Sequence, residues 1–267
     1  MPGKNAALYT EMWQKMKEAS EQLYGPPTTR KIIMIDFETG AIPALRNVFP
    51  NDVVKGCTFH FRQALFRHVQ SCGLQSIYRN DSVPGVKRWL QTIMAMTQLP
   101  ANMVRHAWFW CLKSPPYVAD PVVAQALRNF SNYFQHTWID NPMYPPEMWT
   151  HFDHSGMKTT NVGEGFHSKL KHVFPTVHPP LPEFLKWLQM YHHTNQIRLQ
   201  QLLNPNRVPD PKPQEEKYRK IHEDLEMEKS RLCHEYHFRM AHHPTAAVWC
   251  DVVIGYLSRC AHLVGAN

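Results

Sequence analysis

Three short segments hold the side chains that could do chemistry. Asp36-Phe37-Glu38 sets two carboxylates at the end of the apolar run Lys31-Ile32-Ile33-Met34-Ile35. A buried acid there is costly unless it meets a metal ion, a proton or a hydrogen-bond donor. Gly56-Cys57-Thr58-Phe59-His60 has a C-x2-H spacing, by which one turn can offer zinc both a thiolate and an imidazole. The segment from Thr159 to His167, TTNVGEGFH, puts Glu164 in what should be the first turn of a helix, where a carboxylate could face a divalent metal together with Asp36. Each segment also has a plainer reading. Asp36 can cap a helix opening near Gly40. Cys57 can be a small buried residue, with His60 hydrogen-bonded locally. Asn161 and Glu164 can form a variant capping box. Zinc would need two more ligands; Cys233 with His237, or His242 with His243, are the candidates, but no spacing pairs them and zinc is not expected.

The elements that must position these residues follow from periodicity and punctuation. Leu8, Met12, Met16, Ala19 and Leu23 recur every three or four positions, which predicts a helix over 7–23 closed by Gly25-Pro26-Pro27. The run 31–36 reads as a short strand buried on both faces, 39–48 as a helix with Pro43 in an early turn, and 53–58 as a second strand. Strand, helix, strand is a βαβ unit with parallel strands, and ligands of such sheets lie beyond the strands' carboxyl ends. A helix over 59–72 ends at Gly73, and no further strand is expected. Helices are expected over 82–97, with Val86, Trp89, Leu90, Ile93 and Met94 on one stripe, and over 120–136, capped by Asp120 with Pro121 at its first position. Others follow over 161–173 and 182–203, the latter with Phe184, Leu185, Leu188 and Tyr191 on its stripe. The proline-rich stretch 204–213 reads as a linker. A long charged helix over 214–240 turns Tyr218, Ile221, Leu225 and Leu232 inward, and a last helix opens at Pro244 with Trp249, Val252, Val253 and Leu257. Trp108, Trp110, Phe130, Tyr133, Phe134, Trp138 and Trp149 could stack on bases, but their helical spacing favours core packing.

Composition bounds the function class. Of 267 residues, 43% are hydrophobic and 19% charged, which excludes a disordered chain and a long coiled coil. Eleven glycines against 22 prolines fit helices punctuated by proline better than turn-rich sheets. No apolar run reaches the roughly 18 residues of a membrane span, so no membrane partner is expected. The N-terminal stretch lacks an uninterrupted apolar core, from which an intracellular location is expected. The six cysteines then read as reduced thiols. The formal charge of +7, with 17 histidines beside it, makes nucleic acid the natural partner class.

Taken together, DFETGAIPALRNVFP, GCTFHFRQALFRHVQSCGLQSIY and TTNVGEGFHSKL followed by an HP-x-L segment resemble, in that order, the Mutator-like element (MULE) transposase family over residues 7–200. The resemblance implies an α/β, mainly helical chain. It would be an incomplete RNase H-like fold over 1–78, with a helical insertion over 79–158, return helices over 159–203, the linker over 204–213 and C-terminal helices over 214–267. It implies DDE chemistry, in which two aspartates and a glutamate hold Mg2+ or Mn2+ for DNA strand cleavage and transfer, and a nuclear location. By motif position Asp36 matches the second aspartate, Glu164 the glutamate, and Cys57 with His60 the family's C-x2-H signature.

The departure from the family is large. Its first aspartate lies on the first strand of the sheet, and this sequence begins after the region that would supply that strand, as an internal stretch of a longer transposase would. No sequence signal puts Glu38 or Asp153 in its place. Two carboxylates hold two ions weakly, so little catalysis is expected. The missing strand should also leave an unpaired sheet edge that invites self-association. A second reading is a non-catalytic or domesticated DNA-binding protein that uses Arg62, Arg67, Lys158, Lys169 and Lys171. No SWIM-type zinc module or separate DNA-binding finger is visible.

Overall fold

The computed structural model describes residues 5–154, 158–174, 176, 179–204 and 213–264. Residues up to Thr160 and from Ile221 onward form one compact unit, and Asn161–Lys220 form a second. The expected linker falls almost entirely outside the described residues.

The first unit opens with α1 (Ala6–Tyr24), whose first turn is closed by the Asn5 side chain accepting from the Leu8 N–H at 3.0 Å. Gly25, at φ 76°, ends it, a conformation that costs glycine little. The strands β1 (Ile32–Ile35) and β2 (Val53–Gly56) flank α2 (Ala41–Val48) and pair in parallel, Ile32 opposite Val53 and Ile35 opposite Gly56. This is the expected βαβ unit, and among the described residues no third strand joins it. The chain is thus mainly helical with one small parallel sheet.

The expectation that β1 is buried on both faces does not hold. Side chains alternate across a strand, and Ile33 and Ile35 face Ile42, Leu45 and Met148, whereas Ile32 on the other face is exposed. A two-stranded sheet with its crossover helix on one side can cover only that side.

Helix α3 (Thr58–Ser71) ends in a Schellman motif: the Gly73 N–H donates to Gln70 O and the Leu74 N–H to Val69 O, with both Leu74 and Val69 buried. Short helices α4 (Gln75–Asn80) and α5 (Val86–Met94) follow, and α5 tightens into a 3-10 turn at Ala95–Gln98. Helices α6 (Ala101–Ala107) and α7 (Pro121–Phe134) each widen into a π-helical turn, Trp108–Leu112 and Gln135–Ile139. As expected, Asp120 caps α7, accepting from Val122 N at 2.8 Å with Pro121 at the first position. After the single turn α8 (Pro146–Trp149), the unit is completed by α11 (Pro213–His242) from Ile221 onward and by α12 (Ala246–Leu263), capped by Thr245.

One core joins Phe61 and Leu65 of α3, Trp108, Phe130, Phe134, Trp138 and Trp149 with Leu225 and Leu232 of α11 and Trp249, Val253 and Leu257 of α12. The aromatic segment therefore packs as a core, Phe61 stacking on Trp149 at 4.9 Å. Trp110 departs from this; it is exposed and meets Trp249 edge-on at 5.5 Å. Tyr218, expected inward, is exposed as well.

The cysteines correct a second expectation. Cys111 and Cys250 form a disulfide between the first π-turn and α12, their Cα atoms 5.7 Å apart, while Cys57, Cys72, Cys233 and Cys260 are free. Closing a loop between positions 139 residues apart restricts the unfolded chain strongly. Reduction, or Cys250→Ser, should cost about 2–5 kcal/mol and lower Tm by roughly 5–15 °C, read by calorimetry. Cys233→Ser should melt as the parent does, and equal Tm values for oxidised and reduced parent would refute the link's contribution.

The second unit comprises the helical pair α9 (Asn161–Val173) and α10 (Leu181–Leu202) together with the start of α11, from Pro213 to Lys220. Phe166, Phe174, Phe184, Trp187 and Tyr191 hold the pair together by ring contacts, Trp187 stacking on Tyr191 at 5.1 Å and Phe166 meeting Tyr191 at 5.3 Å. No helix among the described residues is long and apolar enough to cross a membrane.

Candidate functional site

The βαβ unit delivers Asp36 to the carboxyl end of β1, where the parallel pairing stops. Asp36 is exposed there, so the desolvation cost expected of a buried acid does not arise. Nor does it cap α2, whose N-cap is Gly40 with no side-chain hydrogen bond. Glu38 lies two residues on; its carbonyl accepts from Ala41 N and Ile42 N, and its carboxylate hydrogen-bonds the Tyr9 hydroxyl of α1. Burial, that hydrogen bond and the charges of Glu38 and Asp36 all raise the Tyr9 phenol above its ordinary pKa.

Between the two acids the chain turns sharply. Phe37 has φ 40°, in the left-handed region that non-glycine residues rarely adopt. Its ring drops into the core against Trp138 at 4.9 Å, Tyr144 at 5.7 Å and Phe61 at 6.4 Å, and its carbonyl accepts from the Tyr144 hydroxyl at 3.1 Å. The strained residue thus anchors inward while its acidic neighbours stay near the surface.

Beside this turn, β2 ends at Gly56 and Cys57 opens α3 as its N-cap residue. Cys57 is fully buried. Thr160 closes on it, the N–H and hydroxyl donating to Cys57 Sγ at 3.3 and 3.4 Å, and the same hydroxyl lies 3.3 Å from His60 Nδ1. The C-x2-H pair is therefore linked through a threonine 103 residues beyond Cys57. Lys158 adds a backbone tie, its carbonyl accepting from Thr58 N at 2.9 Å.

The strand end is held from below by His151, which is fully buried and whose Nε2 lies 2.8 Å from Gly56 O. A carbonyl can only accept, so Nε2 carries the proton. Burial drives the His151 pKa down to about 3, the Gly56 hydrogen bond opposing it and the charges of Lys55, His154 and Lys158 adding to it. Lys55 in β2 donates to Glu147 O and Thr150 O, at 2.7 Å each.

The basic residues divide. Arg62 points inward and Nη1 donates to Val264 O at 2.7 Å, so that guanidinium secures the end of α12. Lys158 is half-buried, and burial together with Lys229 lowers its pKa to about 8. Arg67 on α3, and Lys169 and Lys171 on α9, are exposed, Lys169 lying 5.7 Å over the Tyr191 ring.

Glu164 stands in the first turn of α9, exposed, in the second unit, whereas Asp36 belongs to the first. The side chain of Asn161, the other half of the expected capping box, is outside the described residues. Among the described residues no group of three or more His, Cys, Asp or Glu side chains is clustered as metal ligands. Tyr9 and His151 carry no sequence signal, and Thr160, although it lies in the TTNVGEGFH segment, carries none of its contact with Cys57 and His60; each reaches its partner from a distant element. Compared with protein-family models, curated proteins and solved structures, the chain matches none.

Proposed function

We propose that this chain is part of a DDE-type transposase of the MULE kind, built on a portion of an RNase H-like sheet and acting on DNA in the nucleus. The supporting observation is the parallel β1–α2–β2 unit with an exposed aspartate at its carboxyl edge, the place where open α/β sheets put their chemistry. Asp36 and Glu164 are the residues proposed to hold Mg2+ or Mn2+, hard cations that carboxylate oxygens suit. The ion, when bound, would lower the pKa of a water or hydroxyl nucleophile. Asp36 is open to solvent, while Glu38 is engaged with Tyr9. That leaves the acid set short of three, and DNA binding without efficient turnover is the activity expected of this chain. Of the basic residues expected to meet DNA, Arg67, Lys169 and Lys171 are the exposed ones and would face phosphates.

The test uses labelled duplex DNA with Mn2+. Binding should weaken with salt at a log–log slope of about −0.9 per phosphate neutralised, and the triple Arg67→Ala/Lys169→Ala/Lys171→Ala variant should flatten that slope by two to three. Any cleavage should disappear in Asp36→Asn. A salt-independent affinity removes DNA as the partner, and equal cutting by parent and Asp36→Asn removes Asp36 from the chemistry.

A further inference from the structure

Helix α10 has a second face that its aromatic contacts leave unused. Leu181, Leu185, Leu188, His192, Asn195, Leu199 and Leu202 follow one another at spacings of four and three, the seam pattern by which one helix packs along another. The aromatic stripe of Phe184, Trp187 and Tyr191 lies beside this seam and makes ring contacts within the pair α9–α10. The seam leucines and the adjoining Leu203 are 37–72% exposed, and no residue of α10 is buried.

We propose that a second copy of this chain covers this face, the two α10 helices pairing in antiparallel fashion. In the register that sets Leu185 against Leu202 of the other copy, Leu188 meets Leu199 and His192 meets Asn195. Symmetry repeats each layer, giving four leucine layers around two central His–Asn layers. The imidazole and the amide each offer a donor and an acceptor, so these inner layers satisfy each other. Sliding the helices by a heptad sets a polar side chain against leucine, which is how a polar seam residue fixes register. A parallel pair would stack imidazole on imidazole and align the helix dipoles, which the antiparallel pair opposes.

The four leucines of each copy in these layers, with Leu181 and Leu203 flanking them at the helix ends, present roughly 600 Å2 of apolar surface per copy, so full cover of both copies reaches about 1,200 Å2, the lower bound of specific interfaces. This inference uses neither Asp36 nor Glu164 and stands apart from the function proposed above.

Light scattering on the full chain at about 20 µM should give twice the 31.2 kDa chain mass. Leu188→Glu/Leu199→Glu should return a folded monomer, with dissociation favoured at least a hundredfold and an unchanged helical circular dichroism spectrum. Met190→Glu/Ile197→Glu changes exposed apolar residues on the opposite side of α10 and should leave the dimer intact. Mixing Leu185→Cys with Leu202→Cys protein under mild oxidation should link position 185 to 202. Mass spectrometry of the peptides separates this link from any through exposed Cys233. A monomeric parent, a dimer that survives the seam variant, or a dominant 185–185 link each overturns the proposal.

Discussion

Gly56→Ala should destabilise the first unit by about 3 kcal/mol, although it adds a single methyl group. A Cβ built on Gly56 would fall onto the tip of the Phe37 ring. A ring in open space would swing aside at small cost. This one is enclosed by Trp138, Tyr144 and Phe61, and its backbone is fixed in the left-handed region with the carbonyl bound to Tyr144. Relief must come from shifting β2 or from opening the aromatic core, and close-packed interiors resist both. The variant should show an earlier urea midpoint. Phe37→Leu should also destabilise, by leaving a cavity, yet Gly56→Ala on that background should cost at least 1 kcal/mol less than on the parent. Strict additivity in this cycle would show that the two residues do not compete for the same space.

That pair also marks where sequence reasoning reaches and where it stops. The strands were legible because apolar runs of four to six residues between turn residues have few other solutions, and their parallel pairing followed from the helix between them. The caps at Asp120 and Gly73 were legible because a short-range hydrogen bond or a positive φ selects the residue type. The exposure of Ile32 was not, since whether a strand's second face is covered depends on elements elsewhere in the chain. The π-turns at Trp108 and Gln135 continue a helical apolar pattern and leave no local sign. The Cys111–Cys250 link, the Thr160 contacts and the Tyr9–Glu38 hydrogen bond join residues far apart in sequence, and nothing in their neighbours announces a partner. The candidate site was thus legible as a set of motifs, while what braces them was not. Asp36 and the C-x2-H pair occupy the expected elements, but the contacts around them come from Tyr9 of α1 and from His151, Lys158 and Thr160.

His151 is the brace with the clearest consequence, a loss of about 2 kcal/mol of stability between pH 7 and pH 5. The folded pKa of about 3 lies below the ordinary 6.5, so the unfolded chain binds the extra proton as pH falls. The stabilisation is therefore complete above pH 6.5 and is lost as pH drops towards 3, with a limiting slope of about 1.4 kcal/mol per pH unit. Geometry explains why the ring resists protonation. Nε2–H is already donated to Gly56 O, buried Nδ1 has no hydrogen-bond partner among the described residues, and Lys55, His154 and Lys158 would face the new charge. His151→Gln can keep an amide N–H near Gly56 O while removing the titration. It should lose about 1 kcal/mol at pH 7 and, between pH 7 and pH 5, decline by about 2 kcal/mol less than the parent. Urea midpoints of both proteins at the two pH values decide the matter; parallel declines would place the acid sensitivity elsewhere. The tautomer of one buried imidazole then has a reach beyond its own pocket, because the carbonyl it holds ends β2, and the next residue is the cysteine that opens α3.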